Sequence, residues 1–117
     1  MSPAELPDCS DHEHAAHTHV LPDRAEMARA AKMCAAMGDP ERLNLLGLLF
    51  EGDHCVSELT AETGDSMSLV SQRLKVLSSA DLIGRRREGK HIYYSLRDEH
   101  VREMVANLFS HSVENHP

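Results

Sequence analysis

Four side chains that can bind a metal ion lie at the two ends of one stretch, DEHVREMVANLFSHSVE, residues 98–114. They are Asp98 and His100 at its start, and His111 and Glu114 at its end. Apolar residues between them recur at helical spacing, which predicts one amphipathic helix from about Asp98 to Val113. At about 1.5 Å of rise per residue, His100 and His111 would stand about 16 Å apart along its axis. Ligand atoms lie about 2 Å from a bound zinc ion, so one straight helix cannot close the site.

The composition indicates one small, mainly helical domain. The chain has 117 residues, of which 41% are hydrophobic and 3% aromatic, with no Trp. A core of Leu, Val, Ala and Met favours helices. No apolar run is long enough to cross a bilayer and no secretory signal is visible, so we expect a cytoplasmic protein without membrane contact. Cys9, Cys34 and Cys55 form an odd, unpatterned set, which fits a reducing compartment rather than a disulfide framework.

Positive charge is concentrated in one part of an acidic chain. The formal net charge is −7, yet six of the twelve Lys and Arg residues fall between residues 73 and 90. The N-terminal segment holds part of the acidic excess. A basic stripe on an acidic body can still neutralise DNA phosphates, although a solvated charged face would give the same pattern.

The order of sequence patterns divides the chain into an arm, residues 1–22, and a domain, residues 23–117. The arm contains Cys and several His residues and little apolar periodicity. Helical spacing begins at Asp23 and ends at Gly38, with Cys34 on the apolar side, where we expect it in the core or at a dimer contact. A second helix is predicted from Pro40, with Asp39 as its cap. Its predicted buried face consists of Leu43, Leu46, Leu49 and Phe50.

The central segments predict a helix-turn-helix followed by a β-hairpin. A short helix starting at Cys55 ends at Gly64, and a longer one follows the cap Ser66, with Leu69, Val70, Leu74 and Leu77 facing inward. Two strands, 83–87 and 91–96, flank a tight turn in EGK. The pattern thus favours a mainly α fold, a winged helix-turn-helix of five helices and a two-stranded wing. Side chains suited to DNA contacts are Ser66, Ser68, Ser71, Gln72, Arg73, Lys75, Arg86, Arg87 and Lys90.

These segments resemble the ArsR/SmtB family of metal-responsive transcriptional repressors. The resemblance is carried by DPERLNLLGLL, CVSELTAETGDSMSLVSQRLKVL, GRRREGKHIYYSL and the 98–114 stretch, and it covers residues 24–114. It implies a homodimer that binds an inverted repeat in operator DNA and represses metal-efflux or metal-sequestration genes. It further implies that metal binding releases the DNA, with a contact from the His111 ring to a backbone carbonyl near Asp81.

The resemblance also accounts for the divided ligand set. All four positions match the family's zinc-sensing site on the last helix. If two such helices pair antiparallel across a dimer axis, Asp98 and His100 of one chain meet His111 and Glu114 of the other, and symmetry gives two equivalent sites. Two imidazoles and two carboxylates suit a closed tetrahedral Zn²⁺ site. Taken singly, Asp98 could be only a helix cap and the other three could be solvated side chains.

A second metal site is implied by the same resemblance. Cys55 and Glu58 would combine with ligands from the partner's arm, where Cys9 and His12 are the first choice. A thiolate site would accept Cd²⁺, Pb²⁺, Cu⁺, Co²⁺ or Ni²⁺ as well as zinc. Ser57 stands where cadmium and lead sensors of the family have a second Cys, which disfavours a thiolate-rich site. A small buried hydrophobe is the alternative for Cys55.

Competing classes of function make different demands on the sequence. A zinc hydrolase needs an open coordination position, which a four-ligand site does not leave, so we do not expect an enzyme. A cysteine redox sensor needs a dithiol pair, which the three Cys spacings do not offer. A His-rich metal-scavenging protein, and a repressor that responds to another ion through the Cys55 site, remain alternatives to the zinc-responsive repressor.

Overall fold

The computed structural model describes residues 21–114 of the chain. Over these residues it contains five helices and three strands. The helices are α1 (Arg24–Met37), α2 (Pro40–Glu51), α3 (Val56–Thr63), α4 (Met67–Ser79) and α5 (Glu99–Val113). The strands are β1 (His54–Cys55), β2 (Ile83–Glu88) and β3 (His91–Leu96). The predicted winged helix-turn-helix is confirmed, with one short strand more than expected.

Local side-chain caps explain where the helices begin. At α1, the Asp23 carboxylate accepts the Glu26 N–H and the Glu26 carboxylate accepts the Asp23 N–H, both at 2.8 Å. Asp39 caps α2, which opens with Pro40 as predicted. Ser66 Oγ accepts a first-turn N–H of α4 at 3.2 Å, so this predicted cap is also confirmed. Such caps satisfy backbone donors that have no partner inside the helix.

The helix-turn-helix consists of α3, a three-residue turn and α4. Gly64 ends α3 with φ 76°, a left-handed conformation, and its N–H donates to the Thr60 carbonyl at 2.9 Å. Residues with a side chain rarely adopt this conformation, which is why Gly is common at this helix position. The turn folds α3 back against α4, which leaves one side of α4 exposed.

The wing is an antiparallel hairpin with a third strand at its edge. β3 lies in the middle, paired with β2 on one side and with β1 on the other. A two-residue turn, Gly89–Lys90, joins β2 to β3 as the sequence predicted. β1 is only His54–Cys55, which pairs with Tyr94 and Tyr93. Two residues are too few to show strand alternation, so β1 arises from pairing with a distant segment and not from a local pattern.

The core is built around α2, which packs against α1, α4, α5 and β3. Its buried residues are Leu45, Leu46 and Leu49. The inward positions predicted for Val70, Leu74 and Leu77 are confirmed, but the one for Leu69 is wrong, because its side chain is 45% exposed. Leu43 and Phe50 are only partly buried, and Leu45 takes the central place instead. Cys34 is exposed in the single chain, so the expectation of a core position is wrong and only a dimer contact remains for it.

Two contacts fix α5 on α2. Phe109 lies so close to Gly47 that a Cβ atom at Gly47 would stand 3.0 Å from the Phe109 ring. Arg102 donates to the Phe50 carbonyl at 2.9 Å, and its guanidinium lies 4.8 Å from the centre of the Phe50 ring. Val101 and Val105 on the same helix are buried in the core. A movement of α5 would therefore displace α2, which also packs against α4.

We expect Leu77→Ala to lower the free energy of unfolding by about 2–5 kcal/mol, because this fully buried side chain would leave a cavity. Leu69→Ala, the same change on the exposed side of α4, should cost less than about 1 kcal/mol. Urea unfolding followed by circular dichroism, with chelator and at one fixed protein concentration, measures both values. Equal losses would show that α4 buries a different face.

Candidate metal centre and nucleic-acid interface

The start of α5 brings a carboxylate and an imidazole close together. Asp98 caps the helix, and its Oδ1 accepts the Val101 N–H at 3.0 Å. His100 Nδ1 stands 3.9 Å from the same oxygen, and the His100 side chain is 96% exposed. One Asp98 oxygen is thus used by the helix while the carboxylate remains half-exposed. The cap and metal-ligand roles are compatible, because a carboxylate has lone pairs for both.

The end of α5 presents the second pair of donors. His111 lies in the last helical turn and is exposed. Glu114 follows the helix as its C-cap in an extended conformation, and its N–H donates to the His111 carbonyl at 3.3 Å. Because the helix ends at Val113, Glu114 does not continue the helical face that holds His111. Its side chain is exposed at the helix end.

The two pairs do not meet within one chain. Over residues 21–114, no three His, Cys, Asp or Glu side chains come together in an arrangement that could hold a metal ion. The fifteen-residue length of α5 keeps its ends apart. Each pair offers two donors and is open to solvent, so the donors would fit a tetrahedral zinc ion only if two further ligands came from a second molecule.

Cys55 and Glu58 meet at the start of α3. The Cys55 N–H donates to Glu58 Oε1 at 2.9 Å, and this hydrogen bond, followed by one to the Cys55 side chain, lowers the pKa of the exposed Glu58 carboxyl. Cys55 is buried, with its Sγ 3.1 Å from Ser57 Oγ. The pair is in place, whereas Cys9 and His12 lie outside the described residues. The arm site therefore stays a prediction.

The exposed side of α4 carries most of the predicted DNA-contacting residues. Ser68, Ser71, Gln72 and Lys75 are exposed. Ser66 is exposed as well, although its hydroxyl already caps the helix. Arg73 differs from these, because its guanidinium donates to Asp65 at 2.7 Å and its side chain is only 20% exposed. Asp65 lies in the turn before α4, so this arginine is already neutralised by the helix-turn-helix itself.

The wing arginines differ from one another in their partners. Arg86 pairs with Asp53 and with Glu88, and it lies over the Tyr93 ring. These carboxylates raise the pKa of the Arg86 guanidinium. Arg87 donates to the Gly89 carbonyl at 3.3 Å, and Lys90 is exposed in the turn. Asp53 is 33 residues away from Arg86 along the chain, so no local sequence signal could reveal that pair.

The end of α4 is joined to the start of α5. Asp81, two residues after the end of α4, adopts a left-handed conformation with φ 62°. Its carboxylate lies 3.2 Å from Arg97 Nε, and the Arg97 N–H donates to the Leu82 carbonyl at 3.0 Å. Arg97 immediately precedes Asp98. The sequence did not suggest this link, which connects the end of α4 to the start of α5 within one chain.

The comparison with protein families agrees with the fold. Residues 39–84, from the cap of α2 to the first residues of β2, match the family model of bacterial regulatory proteins of the arsR family. Within the described residues, none of the helices is long and apolar enough to cross a membrane.

Similar proteins cover most of the chain. A transcriptional repressor SmtB homolog from Synechocystis is 35% identical over 99 residues, which are 82% of this chain and 75% of that protein. A cadmium resistance regulatory protein CadC homolog from Staphylococcus aureus is 35% identical over 85 residues, 72% of this chain and 70% of that protein. The homodimeric winged helix-turn-helix DNA-binding domain of a possible ArsR-family regulator from Mycobacterium bovis superposes with a TM-score of 0.77 at 29% identity, over 85% of this chain and 94% of that one.

We expect Asp98→Ala to lower the free energy of unfolding by about 0.5–2 kcal/mol, because the variant loses the cap of α5. Asp98→Ser should recover most of that loss, since a serine hydroxyl also accepts a first-turn N–H. Chemical unfolding in the presence of chelator measures both, with Glu103→Ala on the same helix as the exposed control. A fully stable Asp98→Ala variant would show that the cap contributes nothing.

Proposed function

Since the chain belongs to the ArsR family of bacterial regulatory proteins, we propose that it is a zinc-responsive transcriptional repressor. As a metal-free homodimer it binds an inverted repeat in operator DNA, and zinc binding at the ends of α5 releases it. The observation that carries this proposal is the division of four zinc-type donors between the two ends of one helix. SmtB and CadC homologs among the similar proteins support a metal as the signal.

DNA binding is supported by the shape and polarity of the helix-turn-helix. α4 presents exposed Ser68, Ser71 and Gln72, whose side chains can reach base edges in a major groove. Arg87 and Lys90 at the wing tip lie where they can contact flanking phosphates. These residues offset the acidic net charge locally, where DNA would lie.

A homodimer is supported by apolar side chains that a single chain leaves exposed. Met27 on α1 is 47% exposed, and Leu108 and Val113 on α5 are 40% and 81% exposed. Cys34 adds to the exposed apolar side of α1. The similar domain from Mycobacterium bovis is homodimeric. Pairing through α1 and α5 would cover these residues and bring two copies of α5 together.

The α5 site would be shared between protomers. In an antiparallel pair of α5 helices, Asp98 and His100 of one protomer approach His111 and Glu114 of the other, and the dimer axis repeats the site. Bound zinc would supply coordination bonds that join the two protomers. Four protein ligands leave no position for a reactive water, which is the reason to propose regulation and not catalysis.

The packing of α5 suggests how its position would affect DNA binding. Through Gly47 and Phe50, α5 rests on α2, and α2 packs against α4. Arg97 and Asp81 add a second connection from the start of α5 to the end of α4. Fixing two α5 helices against each other would thus fix the spacing of the two copies of α4, the helix that would enter the major groove. The coupling is reciprocal, so bound DNA must weaken metal binding by the same factor. The expected contact from His111 to a carbonyl near Asp81 would likewise connect α5 to the end of α4.

A response to another ion is the second candidate. The observation in its favour is the Cys55–Glu58 pair, in which hydrogen bonding holds the carboxyl in its charged form. A thiolate and a carboxylate there, completed by Cys9 and His12, would accept Cd²⁺, Pb²⁺, Cu⁺, Co²⁺ or Ni²⁺. Burial of Cys55 means that such ligands must reach it through a covered surface.

We expect zinc to lower the operator affinity of the wild type by roughly 5–150-fold, the usual range of such couplings. A variant with both His111→Ala and Glu114→Gln should bind metal-free operator normally and lose the response to zinc. Fluorescence anisotropy with a duplex from the chain's own promoter measures both. The matched control is Glu103→Gln, an exposed α5 carboxylate outside the ligand set. Full zinc release of the double variant would contradict the proposal.

Asp98→Ser separates the ligand role from the cap role of this residue. The hydroxyl preserves the cap but removes the carboxylate, so the variant should fold normally and bind zinc more weakly than the wild type. Isothermal titration calorimetry with zinc measures the affinity. Wild-type affinity in this variant would mean that Asp98 is only a helix cap.

A further inference from the structure

A groove of about 470 Å³ lies between α4 and the base of the wing. Ser71, Lys75 and Ser78 line it from α4, and Arg85 and Tyr94 line it from the paired strands β2 and β3. The two cations thus face one space from opposite walls. No Asp or Glu is among the described residues that line it. The groove therefore concentrates positive charge and hydroxyl groups without an internal anion.

Arg85 differs from the neighbouring arginines of the chain. Strand alternation places it on the α4 side of the wing, beside Tyr94, whereas Arg86 points to the other side beside Tyr93. Arg86 is held by carboxylates and Arg87 by a backbone carbonyl. Within residues 21–114, Arg85 has neither a salt bridge nor a side-chain hydrogen bond.

Lys75 on the opposite wall of the groove also lacks a charged partner. Among the described residues it makes no ion pair, although Arg73, two residues before it on α4, is paired with Asp65. The serine hydroxyls that line the groove likewise make no hydrogen bond to another described residue. Two unpaired cations and several free hydroxyl donors around one space match the needs of a phosphate oxygen.

The position of the groove identifies which phosphate it would meet. With α4 in a major groove and the wing beside it, the DNA strand between them must cross the space that separates α4 from β2. We propose that Lys75 and Arg85 bind a backbone phosphodiester of DNA in this groove, with hydrogen bonds from Ser71 and Ser78. This inference rests on the proposed repressor function and assigns a specific phosphate contact to Arg85, which the sequence marked only as part of the basic segment.

The proposal ranks the basic residues of the interface. Arg73 and Arg86 must give up or share a carboxylate before they can bind a phosphate, whereas Lys75 and Arg85 have no such competitor among the described residues. A phosphate contact carries no direct sequence information, so its loss should weaken binding to every duplex alike.

The salt dependence of DNA binding tests the proposal. Each neutralised phosphate contributes roughly 0.9 to the slope of log affinity against log salt. With one phosphate per protomer, the double variant Lys75→Gln/Arg85→Gln should lower the slope of the dimer by roughly 2. Between about 50 and 200 mM salt, the wild type should then lose roughly tenfold more affinity than the variant. The decrease in slope caused by the double variant should be equal for a promoter duplex and for an unrelated duplex.

A charge-matched variant provides the control. Arg29→Gln/Lys32→Gln removes the same two charges from exposed positions on α1 and should leave the slope unchanged. Circular dichroism and sedimentation confirm that both variants fold and keep the wild-type oligomeric state. The proposal would be overturned if Lys75→Gln/Arg85→Gln, the groove variant, left the salt slope unchanged. It would also be overturned if Arg29→Gln/Lys32→Gln lowered the slope by the same amount.

A second arm distinguishes DNA from a free anion. Inorganic phosphate is titrated into DNA-free protein at constant ionic strength, with thermal stability as the readout. Saturable stabilisation that the groove variant loses, together with an unchanged DNA slope, would assign the groove to a free phosphate and overturn the DNA contact. A wild type that binds neither duplex would refute the repressor function itself, and this inference with it.

Discussion

The length of α5 is the constraint from which the functional interpretation follows. A helix is rigid over four turns, so the backbone positions of His100 and His111 stay about 16 Å apart along its axis. In the proposed site, Asp98 and His100 would form one half of the ligand set and His111 and Glu114 the other, and both pairs are exposed. Neither half can hold zinc firmly alone. The same rigidity that prevents a site within one chain makes the helix suitable for joining two chains. An ion bound between two such helices would fix the relative position of the chains.

The packing of the core explains how a change in the position of α5 could affect the DNA-binding surface. α2 lies at the centre of the domain, in contact with both α5 and α4. Phe109 against Gly47, and Arg102 against the Phe50 carbonyl, attach α5 to α2 through close contacts that leave little room for independent movement. Close-packed interiors transmit displacement because voids that could absorb it are few. A displacement of α5 would therefore be passed to α4 through α2, which suits the proposed regulation through a change in dimer geometry.

The distribution of salt bridges shows why counting basic residues is a poor guide to a DNA-binding surface. Arg73 and Arg86 belong to the basic segment of the sequence, yet each has a carboxylate partner in the fold. Arg85 and Lys75 belong to the same segment and face a groove without one. Neighbours along a strand point to opposite faces, so consecutive arginines meet different surroundings. The electrostatic character of each residue is thus decided by its partners rather than by the local density of charge.

The sequence by itself determined the features that depend on interactions between residues a few positions apart. The helix caps at Asp39 and Ser66, the glycine that ends α3, the hairpin turn and the spacing of the α5 donors could all be predicted, because each follows from local backbone hydrogen bonding or helical periodicity. Only the tertiary structure decided that Leu69 is exposed and Leu45 buried, that β1 pairs with β3, and that Arg86 meets Asp53 while Arg85 lacks a partner among the described residues. These outcomes depend on segments tens of residues apart meeting in the fold, and no local pattern records which segments will meet.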